Sequence, residues 1–306
     1  MKQACHNRYN IGGNAVTRRQ AWRLQTPLNL GELGNLIRPT RVPREAVVTF
    51  SIGRIAAGFA AIMLFTQAAA AAELKVLTTP ALTEVWHDLQ LKFEATGHKL
   101  ILVYAPSGAI TKRITEGEIH DVLFTTTGSI ETLTKNGKVI AGTGTLIASS
   151  GMGVAVLKGA SKPDISTPEK FKQALLNAKA VAYIDPASGG ASGAHMAKVL
   201  ERLGITNEIN AKAKFGRGVP TASFVVKGEA DIAIQQLPEL LGVQGVEVVG
   251  PLPGDLQNVT PFAGGVHTDS ANPDAGRALL KFLQSPDAIA VIKARGLEPP
   301  VKPKAS

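Results

Sequence analysis

From Glu73 onward, short aliphatic and β-branched runs alternate with segments of helical periodicity, and the alternation runs through the chain twice. A strand followed by a helix and another strand needs a crossover. Crossovers of that kind give largely parallel sheets covered by helices, so the fold class is α/β. Leu74 to Leu77 reads as a strand. Thr78-Thr79-Pro80 opens a helix on which Leu82, Val85, Trp86, Leu89 and Phe93 recur at helical spacing, with proline in the first turn and Gly97 as the stop. Leu100 to Tyr104 is the second strand, Pro106-Ser107-Gly108 a turn, Ala109 to Glu116 a helix closed by Gly117, and Asp121 to Phe124 the third strand, running into Thr125-Thr126-Thr127.

The second half repeats the plan. Ala180 to Ile184 is a strand, and the small-residue loop Ser188 to Gly193 leads into a helix with Met196, Val199, Leu200 and Leu203 on one face and Gly204 as its stop. Thr167-Pro168-Glu169 starts a helix over Phe171 to Ala178; Val219 to Lys227 is another, ended by Gly228, before the strand Ile232 to Ile234 and Gln235-Gln236. Both halves place Gly-Glu after a helix and Asp before a buried strand, in Gly117-Glu118-Ile119-His120-Asp121 and Gly228-Glu229-Ala230-Asp231, which points to two similar lobes. Pro273 to Leu283 and Pro286 to Arg295 are closing helices, with a frayed tail from Pro299. At 306 residues and 44% hydrophobic positions the chain can fill two such cores.

The formal charge of +9 suggests nucleic acid until it is divided. Residues 1–72 hold nine Lys/Arg against two Asp/Glu, leaving 24 against 22 in the rest. The basicity belongs to the leader, and the remainder has no basic run or nucleic-acid-binding motif, so no nucleic-acid partner is expected. Within that leader Arg54 precedes the apolar stretch Ile55 to Phe65, and Ala68 to Ala72 follows, the anatomy of a signal peptide cleaved near Ala72 for export to the periplasm. An uncleaved anchor is the alternative; membrane contact otherwise comes only through a permease. The sole cysteine, Cys5, lies in the leader, which excludes a disulfide, a thiolate metal site and a cysteine nucleophile from the body.

In open α/β sheets ligands collect at the carboxyl ends of the strands. Four segments occupy that position: Thr78-Thr79-Pro80, Pro106-Ser107-Gly108, Thr125-Thr126-Thr127 and Ser188 to Gly193. All are rich in hydroxyls and small residues and none carries a charge. At helix starts such residues either cap the helix or cradle an oxyanion, because the first backbone N–H groups have no partner within the helix. The Gly-rich loop lacks the G-K-[ST] ending of a nucleotide-binding loop, and the histidines His87, His98, His120, His195 and His267 lack ligand spacing, so neither cofactor nor metal is expected. His195, one turn into the helix after that loop, could face a ligand. Arg217 is the candidate anion clamp, since a guanidinium pairs bidentately with planar anions.

In this order the segments resemble the periplasmic molybdate-binding-protein-like solute receptors of ABC importers, type II periplasmic binding proteins. The resemblance is carried by Thr78 to Leu82, Tyr104 to Ala109, Asp121 to Phe124, Ala182 to Gly189, Leu203-Gly204-Ile205, Val226 to Ile232, and Phe282 to Pro286 with Gly296-Leu297. It implies a monomeric two-lobed clamshell, each lobe a mostly parallel sheet flanked by helices, with residues 73–152 and 258–306 in one lobe and 153–257 in the other. It further implies a small anionic ligand in the cleft and a permease as partner. The implied ligand set is Thr78, Thr79, Ser107, Gly108 and Thr126 from the first lobe, and Ser188, Gly189, Gly190, Ser192, Arg217, Gln235 and Gln236 from the second. Gln235-Gln236 stands where molybdate receptors have a tyrosine, and side-chain amides suit a carboxylate-bearing or hydroxylated ligand at least as well as a tetrahedral dianion. The same variant is similar to an aconitate isomerase branch of the family, which implies an alternative: an allylic proton shift, with His195 as the base and Arg217 as the clamp.

Overall fold

The computed structural model describes residues 71–300. In chain order its strands and helices are β1 (Glu73–Thr78), α1 (Thr83–Glu94), β2 (Lys99–Tyr104), α2 (Ser107–Thr115), β3 (Val122–Thr126), α3 (Thr127–Lys135), β4 (Thr145–Leu157), α4 (Pro168–Asn177), β5 (Val181–Ile184), α5 (Ala191–Leu203), α6 (Thr206–Asn210), β6 (Ala213–Gly216), α7 (Ala222–Val226), β7 (Ile232–Gln236), α8 (Leu237–Leu241), β8 (Val246–Pro251), β9 (Val259–Val266), α9 (Pro273–Phe282) and α10 (Pro286–Ala294). The leader and its cleavage point fall almost wholly outside the described residues. Among the described residues no helix is long and apolar enough to cross a membrane.

Strand order is β2-β1-β3-β9-β4-β7-β5-β6, with β8 also on β4. Each half contains one three-stranded parallel unit, β2-β1-β3 in the first and β6-β5-β7 in the second. The strands that carry the chain between halves pair antiparallel. Thr145 to Gly151 of β4 lies against β9, and from Met152 onward the same strand lies against β7 and β8.

The buried apolar residues divide at the same place. One set draws on residues 74–148 and 262–297, with Trp86, Phe93, Phe124 and Phe262 as its largest members; the other draws on 152–256, around Phe171, Tyr183, Met196 and Ile234. These sets are called lobe I and lobe II below. Where the crossover strands meet, the Gln257 side chain substitutes for a strand partner. Its Oε1 accepts from Met152 N–H at 2.9 Å, and its Nε2 donates to Met152 O at 2.8 Å.

Helix α1 shows how sequence places a turn at the cleft. Val85, Trp86, Leu89 and Phe93 form its buried face, and Trp86 meets Phe124 edge to face at 5.1 Å. Trp86 Nε1 donates to Thr78 Oγ1 at 3.0 Å, which fixes the end of β1 to the helix following it. Pro80 interposes a single 3-10 turn, Pro80–Leu82, so the helix proper starts at Thr83. In lobe II the helix expected from Val219 is shorter: Gly218 at φ 75 and Pro220 delay its start to Ala222.

The repeated Gly-Glu-x-Asp segments fold alike. Gly117 and Gly228 adopt positive φ, and Glu118 and Glu229 each return a backbone bond to the preceding helix, to Arg113 O and Phe224 O. Asp121 and Asp231 then receive the backbone N–H of Lys75 and of Lys179 on their carboxylates, each where the neighbouring strand begins.

Candidate binding cleft

The carboxyl ends of β1, β2, β5 and β7 meet around a partly open space of about 50 Å³. Thr79, Pro80, Ala81, Pro106, Ser107 and Phe262 line it from lobe I, and Ile184, Gly190, Ala191, Ser192, Gln236 and Glu239 from lobe II. That is room for about two waters, well below the roughly 300–1,000 Å³ of drug-sized sites, so the lobes must part to admit anything larger. The lobes touch beside it, where Gly108 N–H donates to Gly189 O at 2.9 Å. A side-chain carbon on Gly108 would stand 2.9 Å from that oxygen, so this contact needs glycine.

The structure sorts the hydroxyls proposed from sequence. Thr79, Ser107 and Ser192 are buried, 5 to 6% exposed, yet among the described residues their hydroxyls bond to no protein group. Their oxygens face the cavity, open to water, so a guest that displaces that water can take up their hydrogen-bonding capacity. The other predicted hydroxyls are already engaged. Thr78 is bound by Trp86, Thr126 caps α3 by accepting from Ser129 N–H, and Ser188 Oγ donates to Asp185 O at 2.7 Å. Helices α2 and α5 both begin at the cavity without a side-chain cap; in α2 the Gly108 N–H is taken by Gly189 O, while the first turn of α5 starts at Ala191 with no capping side chain. Gly193 permits this in α5, because a β-carbon there would lie 2.6 Å from Ile184 O.

Two assignments need correction. Arg217 does not line the cavity. Its guanidinium is mostly exposed, bonds Asp185 Oδ2 at 2.6 Å and lies 5.8 Å from the Phe215 ring, and it holds the Asp185 carboxyl below its usual range. His195 is also absent from the lining, and its Nε2 is taken up by Leu256 O at 2.8 Å. Neither is within the cleft as base or clamp. Gly108, Gly189 and Gln235 stand just behind the wall.

One residue that sequence reasoning passed over is Glu239. Of the residues lining the cavity it alone ionises. Its carboxyl is pushed up to about 7 by burial, partly offset by a hydrogen bond from Gln235 Nε2. Gln235 Oε1 in turn accepts from Thr221 N–H and Thr221 Oγ1, both at 2.8 Å. The Gln235 to Glu239 spacing of four residues across a strand-helix junction was the available signal. Gln236 Nε2 donates to Thr260 Oγ1 at 3.1 Å while its Oε1 lacks a partner.

Lobe II also carries a wider open groove of about 850 Å³, lined by Val156, Pro163, Lys170, Gln173 and Asp231 among others. It draws on one lobe, and its Lys170 pairs with Asp164 at 2.7 Å. Among the described residues there is no cluster of three or more His, Cys, Asp or Glu.

Residues 74–298 match the family of bacterial extracellular solute-binding proteins. The chain belongs to that family. As a solute-binding protein of this family it works outside the cytoplasm. It is 35% identical over 238 residues to an aconitate isomerase from a Pseudomonas species, a match spanning 75% of this chain and 89% of the relative. It is 30% identical over 260 residues to a molybdate-binding protein from Azotobacter vinelandii, spanning 81% and 98%. Among solved structures, a periplasmic molybdate-binding protein of Azotobacter vinelandii superimposes with a TM-score of 0.63 at 21% identity, covering 74% of this chain and all of that one. The sulfate-binding protein SubI of Mycobacterium tuberculosis gives 0.60 at 19% identity, covering 74% and 87%. These likenesses are of fold: a mixed α/β clamshell of periplasmic-binding-protein type.

Proposed function

We propose that this solute-binding protein captures a small oxyanion or organic carboxylate between its lobes and delivers it to the permease of an ABC-type importer. The observation carrying this reading is the convergence of three hydroxyls with no protein partner among the described residues, Thr79 and Ser107 from lobe I and Ser192 from lobe II, on one cavity between the lobes. A guest bonded from both sides stabilises the closed arrangement over the open one, which is what couples capture to closure. In this reading residues 73–152 with 258–306 move as one body against 153–257, about the Gln257 clamp, and residues 1–72 serve export with cleavage near Ala72. The mature protein acts as a monomer.

The test is a thermal-shift and calorimetric screen of the mature protein against molybdate, tungstate, sulfate, phosphate, citrate and the two aconitates. A rise in melting temperature with one group of anions is expected. A flat response to all of them defeats the proposal.

A second reading is favoured by Glu239 together with the aconitate isomerase relative: interconversion of cis- and trans-aconitate on the same scaffold. A carboxyl amid neutral donors adds nothing to the affinity for an anion while ionised, but it supplies the base that a proton shift requires. Incubating the protein with cis-aconitate and assaying for the trans isomer separates the two readings.

A further inference from the structure

We propose that Glu239 is the catalytic acid–base group of this cleft, and that Gln235 and Thr221 are its positioning pair. The proposal rests on the isomerase reading above and deepens it by assigning the residue that moves the proton.

The geometry is specific at three points. Glu239 lines the cavity together with Thr79, Ser107 and Ser192, so its carboxyl faces the space a guest would fill once the lobes part to admit it. Its partner Gln235 cannot be turned round. A backbone N–H only donates, so the atom facing Thr221 N must be the amide oxygen, which leaves the NH₂ group to face Glu239. Finally, among the described residues no cation pairs with the carboxyl. The charged groups on the elements packed against α8 include Glu84 and Asp88 of α1 and Glu247 of β8, and Arg295 after α10 is already bonded to Asp88 at 2.7 Å and Glu84 at 3.3 Å. The causes acting on Glu239 are burial and the Gln235 bond alone.

An ionised carboxylate without a counter-charge repels the anion this cavity is shaped to hold. Its position at the guest is explained by proton exchange, and a group balanced near neutrality both takes and returns a proton. With an aconitate bound, the Glu239 carboxylate removes a proton from the methylene carbon. The C–H electron pair becomes a new carbon–carbon double bond, and the old double bond's pair moves to the far carbon. Glu239, now a carboxylic acid, returns the proton there. One C–H bond breaks, one forms, and the double bond moves by one carbon without oxidant or cofactor. The hydroxyls of Thr79, Ser107 and Ser192 donate to the carboxylates on which charge accumulates.

The experiment incubates the mature protein with cis-aconitate in D₂O and follows the guest by proton NMR, beside thermal shifts with both aconitates. Wild-type protein should form the trans isomer, with deuterium at carbon in the fraction of turnovers where the Glu239 acid exchanges with solvent before it returns the proton. Glu239→Gln should slow both by about 100-fold or more while the aconitate-induced thermal shift persists. Glu239→Asp, which retains the carboxyl, provides the second variant and should keep partial exchange. Gln235→Leu should move the ascending limb of the pH–rate profile to higher pH, because the Gln235 hydrogen bond lowers the Glu239 pKa and its removal raises it; a purely structural role would leave that limb in place. Undiminished exchange in Glu239→Gln overturns the proposal. So does a wild-type protein that binds aconitate without forming the trans isomer, which leaves capture standing. Absence of a thermal shift with either aconitate removes the polycarboxylate reading and this proposal with it.

Discussion

The two lobes use one device at the amino ends of their parallel strands and invest it differently. In lobe I the Asp121 carboxylate accepts Lys75 N–H at 2.9 Å, Ser270 Oγ at 2.7 Å and Asn272 N–H at 3.2 Å, and the residue is buried. In lobe II the equivalent Asp231 accepts the Lys179 N–H and is exposed. The difference follows from chain path. The chain re-enters lobe I through β9 and α9, so the lobe I carboxylate ties three separated segments, whereas the lobe II one joins only two neighbours. Both lie at the strand ends opposite the cleft: framework is built at one end and chemistry at the other.

The largest effect should therefore come from Asp121→Ala. It leaves two backbone N–H groups and a hydroxyl without their charged acceptor in a buried place, a loss of about 3 kcal/mol. Urea unfolding midpoints measure it. A loss under about 1 kcal/mol would show that the three-way junction is not what distinguishes lobe I.

At the cleft the comparison is between facing glycines. Gly108→Ala in lobe I puts a carbon against Gly189 O without straining its own helix, so it opposes closure alone. Guest affinity should fall about tenfold, roughly 1.4 kcal/mol, with the urea midpoint unchanged. Gly189→Ala in lobe II meets Gly108 Cα at 3.3 Å and must also hold φ at +74, so it should lower both affinity and stability. Equal effects of the two variants on stability would break this distinction.

How much of this is legible in sequence also divides by region. The parallel units are readable because their strands run into turn residues and several of their helices stop at a glycine of positive φ, as at Gly97, Gly117, Gly204 and Gly228. The linking strands were not. β9 reads VTPFAGGV, and its Gly264 and Gly265 look like a loop until Phe124 and Val139 are seen packed within 2.5 and 2.8 Å of where their side chains would begin. The Ser and Gly content of β4 misleads in the same way. In the site, the hydroxyl-rich turns were legible, but which hydroxyls are free depends on partners such as Trp86 and Asp185. Nothing in sequence sets Glu239 apart on its short helix, and only the packing of α8 against lobe I half-buries it at the cavity.

Acid should also act on lobe I first. His120 and His267 are buried there, and each retains a ring nitrogen without a partner. Burial holds both below the ordinary imidazole value, outweighing Glu118 beside His120 and Asp269 and Asp121 beside His267; Arg113, Lys75 and Lys138 act in the same direction as burial. Both are neutral in the folded protein and take up protons first when unfolded. Their contribution to stability is present above about pH 6.5 and is lost as pH falls through their lowered folded-state values. Urea midpoints at pH 7.5 and 5.0 should differ in this sense, and His267→Gln should flatten the difference. An unaltered slope in that variant would assign acid sensitivity elsewhere.

The smallest effect should be that of Asp231→Ala. Its carboxylate holds one N–H that water can reach, so the exchange of a protein acceptor for solvent costs about 0.5–1 kcal/mol. Guest binding should be unaffected, because the residue lies at the end of β7 away from Gln236 and Glu239. If Asp231→Ala destabilised the protein as much as Asp121→Ala, the two carboxylates would be equal anchors. The asymmetry between the lobes would then have to come from the linking strands instead of from this junction.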